Sequence, residues 1–290
     1  MPDPVSLHLR HLALLGCTPG TIAKRRCVLG LLAAALPCPL LEADAVHLLA
    51  WRAGLSVGPA TIAGYVSHAR AFYRWAAAEG LIPLSPAERL PVPRLPRRIP
   101  RPIGDRDLFA AVAGAPERIR PWLVLAAWCG LRAREIALLR RECVLDSHDP
   151  PMLLVGHDAT KGRAERLIPL HDFALGELLT AGLPRAGWVF RRRDGLPGPN
   201  RPWVVSHMSN IYLHDCGYPE TLHQLRHRFA TSAYAGSRDL RMVQELLGHA
   251  HPQTTAMYAA WDQAGAADIV ARIPAPGHLR AVSRKTENGV

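Results

Sequence analysis

The sequence predicts a mainly α-helical chain with a small antiparallel β-sheet, divided into a helical N-terminal domain and a larger α+β domain. Three observations predict it. Apolar residues recur at helical spacing through four blocks between Val5 and Glu79. A proline-rich stretch, Pro91 to Ile103, breaks all periodicity, and beyond it three short β-type runs lie among further helical blocks. With 290 residues, 49% of them hydrophobic, the chain can bury a core in each of two domains.

In order, the helical candidates are Val5–Leu15, Thr21–Leu36, Leu41–Ala53 and Pro59–Glu79, with Thr18, Pro37 and Gly54 near the breaks. In the last of these, Ile62, Tyr65, Val66, Ala69, Phe72, Tyr73 and Ala76 form a core face. His68, Arg70 and Arg74 fall elsewhere on the surface, either simply solvated or, in a basic protein, candidate contacts to DNA phosphates. The stretch PVPRLPRRIPRPI carries Arg94, Arg97, Arg98 and Arg101. Its prolines make it an extended connector, either only a soluble linker or, given its arginines, a segment that tracks a phosphate backbone. The expected division is 1–90 helical domain, 91–103 linker, 104–273 second domain and 274–290 tail.

Beyond the linker, Asp105–Ala113 and Arg118–Trp128 read as helices, the second buried and stopped by Gly130. A new helix begins near Leu131, with Arg132 at its start and Glu135 three residues on. The β-type runs are Val144–Leu145, Met152–Val155 and Arg166–Leu170, and the hairpin between the last two contains His157, Lys161 and Arg163. His171–Leu179 is a further helix, Trp188–Phe190 a short strand, and Arg191–Arg201 a Gly/Pro/Arg-rich loop, either disordered or lying along DNA. Val204–Cys216, Arg238–Leu247 and Asp262–Ile273 read as helices, and 274–290 holds too little apolar material to fold alone.

The formal net charge is +11, from 35 Lys+Arg against 24 Asp+Glu. This balance favours a polyanionic partner over an acidic small molecule. Only Lys24, Lys161 and Lys285 are lysines, so the positive charge is nearly all arginine. Six cysteines without a CxxC pair read as buried thiols of a reducing cytosol. The N-terminal residues show no signal-peptide pattern, and the longest apolar run, Trp122 to Gly130, is far short of the ~20 residues a membrane helix needs. A cytoplasmic, nucleoid-associated protein without membrane partners is expected.

The most informative stretch is His223 to Tyr258. Thr221 can cap a helix whose apolar stripe is Leu222, Leu225 and Phe229, leaving His223 and Arg226 together on another face. Gly248 ends the following helix, His249 sits at the corner, and Pro252 suits the first turn of a helix carrying Tyr258. Arginine matches phosphate bidentately and histidine can hydrogen-bond an oxygen or move a proton near neutral pH. The group therefore reads as an anion site with a phenol beside it. A metal site on His223 and His227 is disfavoured, because Gln224 stands where a HExxH enzyme needs glutamate.

These boxes, HQLRHRF, LLGH and TTAMY with Tyr258 nine residues after His249, resemble the C-terminal boxes of the tyrosine recombinases, the phage integrase family. GLRAREIALLR resembles the family's first box, and the helical block up to Leu90 its N-terminal core-binding domain. The resemblance implies a catalytic set of Arg132, Lys161, His223, Arg226, His249 and Tyr258, with Glu135 as a supporting carboxylate and no metal or other cofactor. It implies DNA strand cleavage and rejoining through a 3′-phosphotyrosyl link, carried out by a tetramer on double-stranded recombination sites. The C-terminal segment would dock on a neighbouring subunit, and accessory proteins are a further expected partner. With no arm-binding domain before the helical block, the chain looks like the two-domain form, Xer-like or a simple integrase. Two alternatives share the fold: a relaxing topoisomerase of the same chemistry, and a sequence-specific DNA-binding protein without turnover.

Overall fold

A computed structural model describes residues 3–95, 103–156, 165–237, 239–248 and 270–274. The chain divides into two compact units, residues 1–98 and 99–290.

Among its described residues, the first unit has four α-helices: α1 (Pro4–Leu14), α2 (Pro19–Ala35), α3 (Ala45–Ala53) and α4 (Pro59–Ala78). Three of them place proline in the first turn, where the missing N–H costs nothing. Asp3, Thr18 and Asp44 cap α1, α2 and α3 with their side chains. The expected helix from Leu41 to Ala53 is instead a short 3-10 turn, Leu40–Glu42, followed by a fresh start. Asp44 accepts the backbone N–H of His47 at 2.9 Å, and a side chain that caps there ends any helix arriving from Leu41. Leu29, Leu32, Leu48, Val66, Phe72 and Tyr73 fill the core, and Tyr73 satisfies its buried hydroxyl on the Leu40 carbonyl at 2.8 Å.

The second unit is built around α6 (Arg120–Trp128), every residue of which from Pro121 onward is buried. The helix is apolar all round because other elements cover every side of it. α5 (Asp105–Ala113), α8 (Asp172–Thr180), α9 (Pro202–Asp215) and α10 (Leu222–Ser237) pack against it. Trp128 lies edge-on to Phe173 at 4.9 Å and is stacked on Phe109 at 6.2 Å. The segment 270–274 closes this core: Val270 and Ile273 are buried, and the Trp128 indole donates to the Pro274 carbonyl at 2.9 Å. His171 accepts the Phe173 amide on Nδ1, so its Nε2 carries the proton and donates to the Ile273 carbonyl at 3.1 Å.

The sheet is antiparallel in the order β1 (Val144–Leu145), β2 (Met152–Val155), β3 (Arg166–Pro169), with Leu153 opposite both Val144 and Ile168. Leu153, Val155 and Ile168 point into the core. Trp188–Phe190, expected as a strand, contributes only an isolated bridge between Trp188 and Arg140, whose guanidinium lies over the indole at 4.6 Å. Among the described residues, the remaining α-helices are α7 (Ala133–Ala137) and α11 (Leu240–Leu247). Among the described residues, no helix is long and apolar enough to cross a membrane. The cysteines are free thiols, but only Cys129 is buried, and Cys27 and Cys216 are exposed. Cys27, on the exposed side of α2, and Cys216, the C-cap of α9, are not the packing residues the composition suggested.

Candidate active site

The site grows from the C-terminal end of α6. Gly130 takes a left-handed backbone, φ +63°, which turns the chain out of the buried helix and into α7. Arg132 is the N-cap of α7 rather than a residue inside it. Glu135, at the third position of that helix, reaches back to accept the Arg132 backbone N–H at 2.8 Å and the Arg132 guanidinium at 2.8 Å. The Glu135 side chain has no solvent exposure. Such a carboxylate needs cations around it, and three guanidinium groups meet on it.

Arg166, the first residue of β3, donates to Glu135 Oε1 at 3.0 Å and to Oε2 at 2.8 Å. Its Nε also donates to the Leu246 carbonyl at 2.9 Å, tying the sheet to the last turn of α11. Arg226 of α10 approaches Oε2 at 3.5 Å and donates to the carbonyls of Gly130 and Leu247. Arg132 Nη2 donates to the Gly248 carbonyl at 3.2 Å. The arginines therefore hold Glu135 on one side and the end of α11 on the other.

The electrostatics are lopsided. One carboxylate faces three guanidinium groups, so the cluster keeps an excess of two positive charges. Burial pushes the Glu135 carboxyl upward, but the hydrogen bond and charge of Arg166, with the Arg132 amide and Arg226, leave it below the usual carboxylate range. Burial also pushes Arg226 down to about 9, opposed by Glu135 and reinforced by Arg132 and Arg166. It remains cationic at neutral pH. Arg226 is 97% buried at its side chain whereas Arg132 retains 26% exposure, so Arg132 presents the accessible edge of the cluster. Preorganised guanidinium groups carrying unneutralised charge are suited to a phosphate, which they can clamp bidentately as charge develops on its oxygens.

Comparisons with known proteins bear on this geometry. The model of the phage integrase family matches residues 106–264. The tyrosine recombinase XerD of Pseudomonas aeruginosa is 31% identical over 241 residues, covering 77% of this chain and 78% of the relative. The chain belongs to the phage integrase family. Tyrosine recombinase XerC of Chromobacterium violaceum is 28% identical over 90% of this chain and 91% of its own length. Among solved structures, a lambda integrase dimer bound to a COC′ core site superposes with a TM-score of 0.67 at 18% identity, covering 88% of this chain and 98% of that one. A lambda integrase tetramer on a Holliday junction gives 0.68 at 20% identity, over 88% and 79%. At these identities the structural likeness establishes the fold, a tyrosine-recombinase catalytic domain.

Of the residues expected to act in this integrase-family chain, the structure brings Arg132 and Arg226 onto one carboxylate, Glu135. His223 lies on α10 one turn before Arg226, exposed, with its ring 4.6 Å from that of His227. Arg226 does not share that outward face. It turns inward beside Leu222, Leu225 and Phe229, all buried. Thr221 does not cap through its hydroxyl; the Gln224 side chain accepts from the Thr221 backbone N–H at 2.8 Å and from its hydroxyl at 3.1 Å. Lys161, His249 and Tyr258 lie outside the described residues, as do Arg97, Arg98, Arg101, Arg163 and His157. Gly248, immediately before His249, is held by Arg132 and ends α11 in a left-handed conformation, φ +61°.

Two of the candidate DNA contacts are already engaged within the first unit. Arg70 donates to the Leu90 carbonyl at 2.6 Å, and Arg74 forms a two-bond ion pair with Glu88 at 2.6 and 3.0 Å. Arg94 is exposed. Sequence reasoning missed Arg166 and Arg228. Arg228, 2% exposed, bonds Asp105 at 2.7 Å and covers the Trp128 ring at 5.3 Å, fastening α10 to α5. The signal for Arg166 was present in Glu135: a carboxylate buried to support one arginine needs further cations, and Arg166 opens the strand that follows the hairpin.

Proposed function

We infer that this protein is a site-specific tyrosine recombinase, cleaving and rejoining DNA through Tyr258. The observation that carries the reading is the convergence of Arg132, Arg166 and Arg226 on the single carboxylate of Glu135, an excess of cationic charge held in place within an integrase-family fold. Relatives named tyrosine recombinases XerC and XerD support it, and lambda integrase structures solved on DNA supply the partner class.

In this reading Tyr258 Oη attacks the scissile phosphorus and the 5′ oxygen leaves, giving a 3′-phosphotyrosyl link. Arg132 and Arg226 neutralise the nonbridging oxygens, each such donor contributing roughly 2.7–4 kcal/mol to the transition state. His223 takes the Tyr258 proton, since a phenol with a pKa near ~10 attacks poorly at neutral pH. Lys161 protonates the leaving 5′ oxygen, and His249 hydrogen-bonds the phosphate. The link conserves the energy of the broken ester, so a second DNA end reverses the step without ATP.

The remaining roles follow the same reading. The N-terminal helical unit and the arginine-rich segment about Arg94–Arg101 bind the duplex, four subunits assemble on paired sites with the C-terminal segment reaching a neighbour, and the work is done in the cytoplasm where the DNA lies. Incubation with a nicked suicide duplex tests the reading: a denaturant-resistant protein–DNA adduct is expected, and Tyr258→Phe abolishes it. An adduct that survives Tyr258→Phe overturns the assignment of the nucleophile.

A further inference from the structure

A second concentration of unneutralised arginine lies at the opposite end of α6 from Glu135. There the start of α6, the end of α8 and the segment 188–200 enclose a cavity of about 550 Å³, within the size range of small-ligand sites. α6 rises about 1.5 Å per residue, so its nine residues put the cavity on the order of 13 Å from the turn at Gly130. The floor is apolar: buried Trp122 meets Phe190 edge-on at 6.2 Å. The rim is Arg118, Arg191, Arg192 and Arg193.

Three features point to an anion. Among the described residues, only Arg192 of these four has a carboxylate partner, Asp194 at 2.8 Å. Arg118 lies over the Trp122 ring at 5.3 Å, and burial with the nearby charge of Arg193 holds it below the usual guanidinium range. Two like charges kept together in this way are relieved by a negative group between them. The third feature is Asn200, which lines the cavity and is 96% buried. Its Oδ1 accepts the Arg201 N–H at 2.9 Å, but its Nδ2 has no hydrogen-bond partner. The Trp122 Nε1 is likewise buried and unpartnered. Both unpaired groups are donors. The two carboxylates at the cavity do not cancel this bias, because Glu117 is exposed on the rim and Glu177 faces the charge of Arg120, a fifth arginine of the lining.

We propose that this arginine-rimmed cavity is a second anion site, taking a phosphate group other than the one that is cleaved. Arg118, Arg191 and Arg193 supply the charge, and the Asn200 amide supplies a directional donor. The phosphate comes either from the DNA backbone flanking the cleaved bond or from a free phosphorylated molecule. The first source rests on the reading of the chain as a DNA-acting enzyme; the second does not.

Two measurements on the full chain decide it, each made on wild type, on Arg191→Gln/Arg193→Gln, and on Arg185→Gln, an exposed arginine just before that segment and outside the cavity lining. The first is duplex affinity against salt. Loss of a backbone contact lowers the log–log salt slope by about 0.9 per phosphate, so the double variant is expected to fall by roughly 1 to 2 while Arg185→Gln stays near wild type. The second is thermal unfolding with inorganic phosphate against chloride at equal ionic strength, where a tenfold excess over Kd raises Tm by about 2–4 °C in wild type and Arg185→Gln but not in the double variant. A fall in slope supports the site with DNA as its source. An unchanged slope with a phosphate shift confined to wild type and Arg185→Gln supports it with a free phosphate. No effect in either measurement, or an equal loss in Arg185→Gln, overturns it. Asn200→Asp, which turns the unpaired donor into an acceptor of the same shape, is expected to abolish the phosphate shift; where it does not fold, the exposed arginine pair carries the test. Tyr258→Phe is expected to keep both responses, so a failure of the cleavage chemistry and a failure of this site are separate results.

Discussion

Arg166 grips both oxygens of Glu135, at 3.0 and 2.8 Å, while its Nε holds the Leu246 carbonyl at 2.9 Å. One side chain thereby joins the sheet, the start of α7 and the end of α11. Arg166→Ala is expected to cost about 2 kcal/mol, the range for hydrogen bonds to a charged group, and to depress DNA–protein adduct formation more than DNA binding. Arg166→Lys restores the charge but not the planar fork, so stability recovers further than cleavage does. Urea unfolding beside adduct yield on one set of variants checks this, and an Arg166→Ala protein that cleaves at the wild-type rate would remove the residue from any positioning role.

Removing the carboxylate leaves three guanidinium groups facing one another. Glu135→Gln is expected to destabilise the second unit by about 3–5 kcal/mol, as when one partner of a buried ionic group is lost. Because the native Glu135 carboxyl sits below its ordinary range, its contribution is present above the unfolded carboxylate pKa and is lost as pH falls through the folded value. Wild type therefore loses stability on acidification that Glu135→Gln has already lost, and the two unfolding curves converge in acid.

Two glycines fix the backbone on either side of the cluster. A Cβ on Gly130 would fall 2.5 Å from Cδ1 of Phe229, and one on Gly248 would fall 2.8 Å from an Arg166 terminal nitrogen. Both positions have positive φ, which costs a side chain about 1–2 kcal/mol. Phe229 is fully buried and cannot yield, so Gly130→Ala adds overpacking and is expected to cost about 3 kcal/mol or more. Gly248→Ala costs less in stability but displaces Arg166. Its expected signature is cleavage weakened out of proportion to a stability loss of about 1–2 kcal/mol.

Much of this was legible in the sequence and some was not, for identifiable reasons. The buried stripe of α4 and the stop at Gly130 follow from spacing and residue type, which act locally. Arg226 was found, but its inward direction was not, because an apolar stripe at Leu222, Leu225 and Phe229 gives no hint that a guanidinium shares it. That burial depends on Glu135, ninety-one residues earlier. Arg166 was hidden for the same reason, its partner being thirty-one residues away. The break at Ala43 was readable in Asp44, whose short carboxylate competes for the amide that a continuing helix needs. Trp188–Phe190 has the composition of a strand but meets only one bridging partner.

His8 makes the first unit acid-sensitive. It is 2% exposed, packed on Phe72 and Trp75, and lies 3.2 Å from an Arg25 nitrogen that can only donate, so its Nε2 must be the acceptor of a neutral ring. Burial, with the charge of Arg25, pushes His8 down to about 4. Between about pH 6.5 and 4 the unfolded chain binds a proton that the folded chain refuses, so stability falls as pH falls across that window, by on the order of 3 kcal/mol, and levels off below it. Chemical denaturation of wild type and His8→Phe from pH 7 to 4 reads this directly. A wild-type slope that persists unchanged in His8→Phe would place the sensitivity elsewhere.

Under the proposed mechanism, the arginines gathered on Glu135 neutralise a phosphate during attack by Tyr258. Arg132, the more exposed of the two clamp residues, gives the most direct test: the rate of Tyr258 adduct formation by wild type and Arg132→Ala on a duplex with a native scissile phosphate and on one with a neutral methylphosphonate there. Arg132→Ala is expected to lose about 10²–10³-fold on the charged linkage, the usual cost of one preorganised donor, and much less on the neutral one. Equal loss on both substrates, or none on the phosphate, would contradict the account.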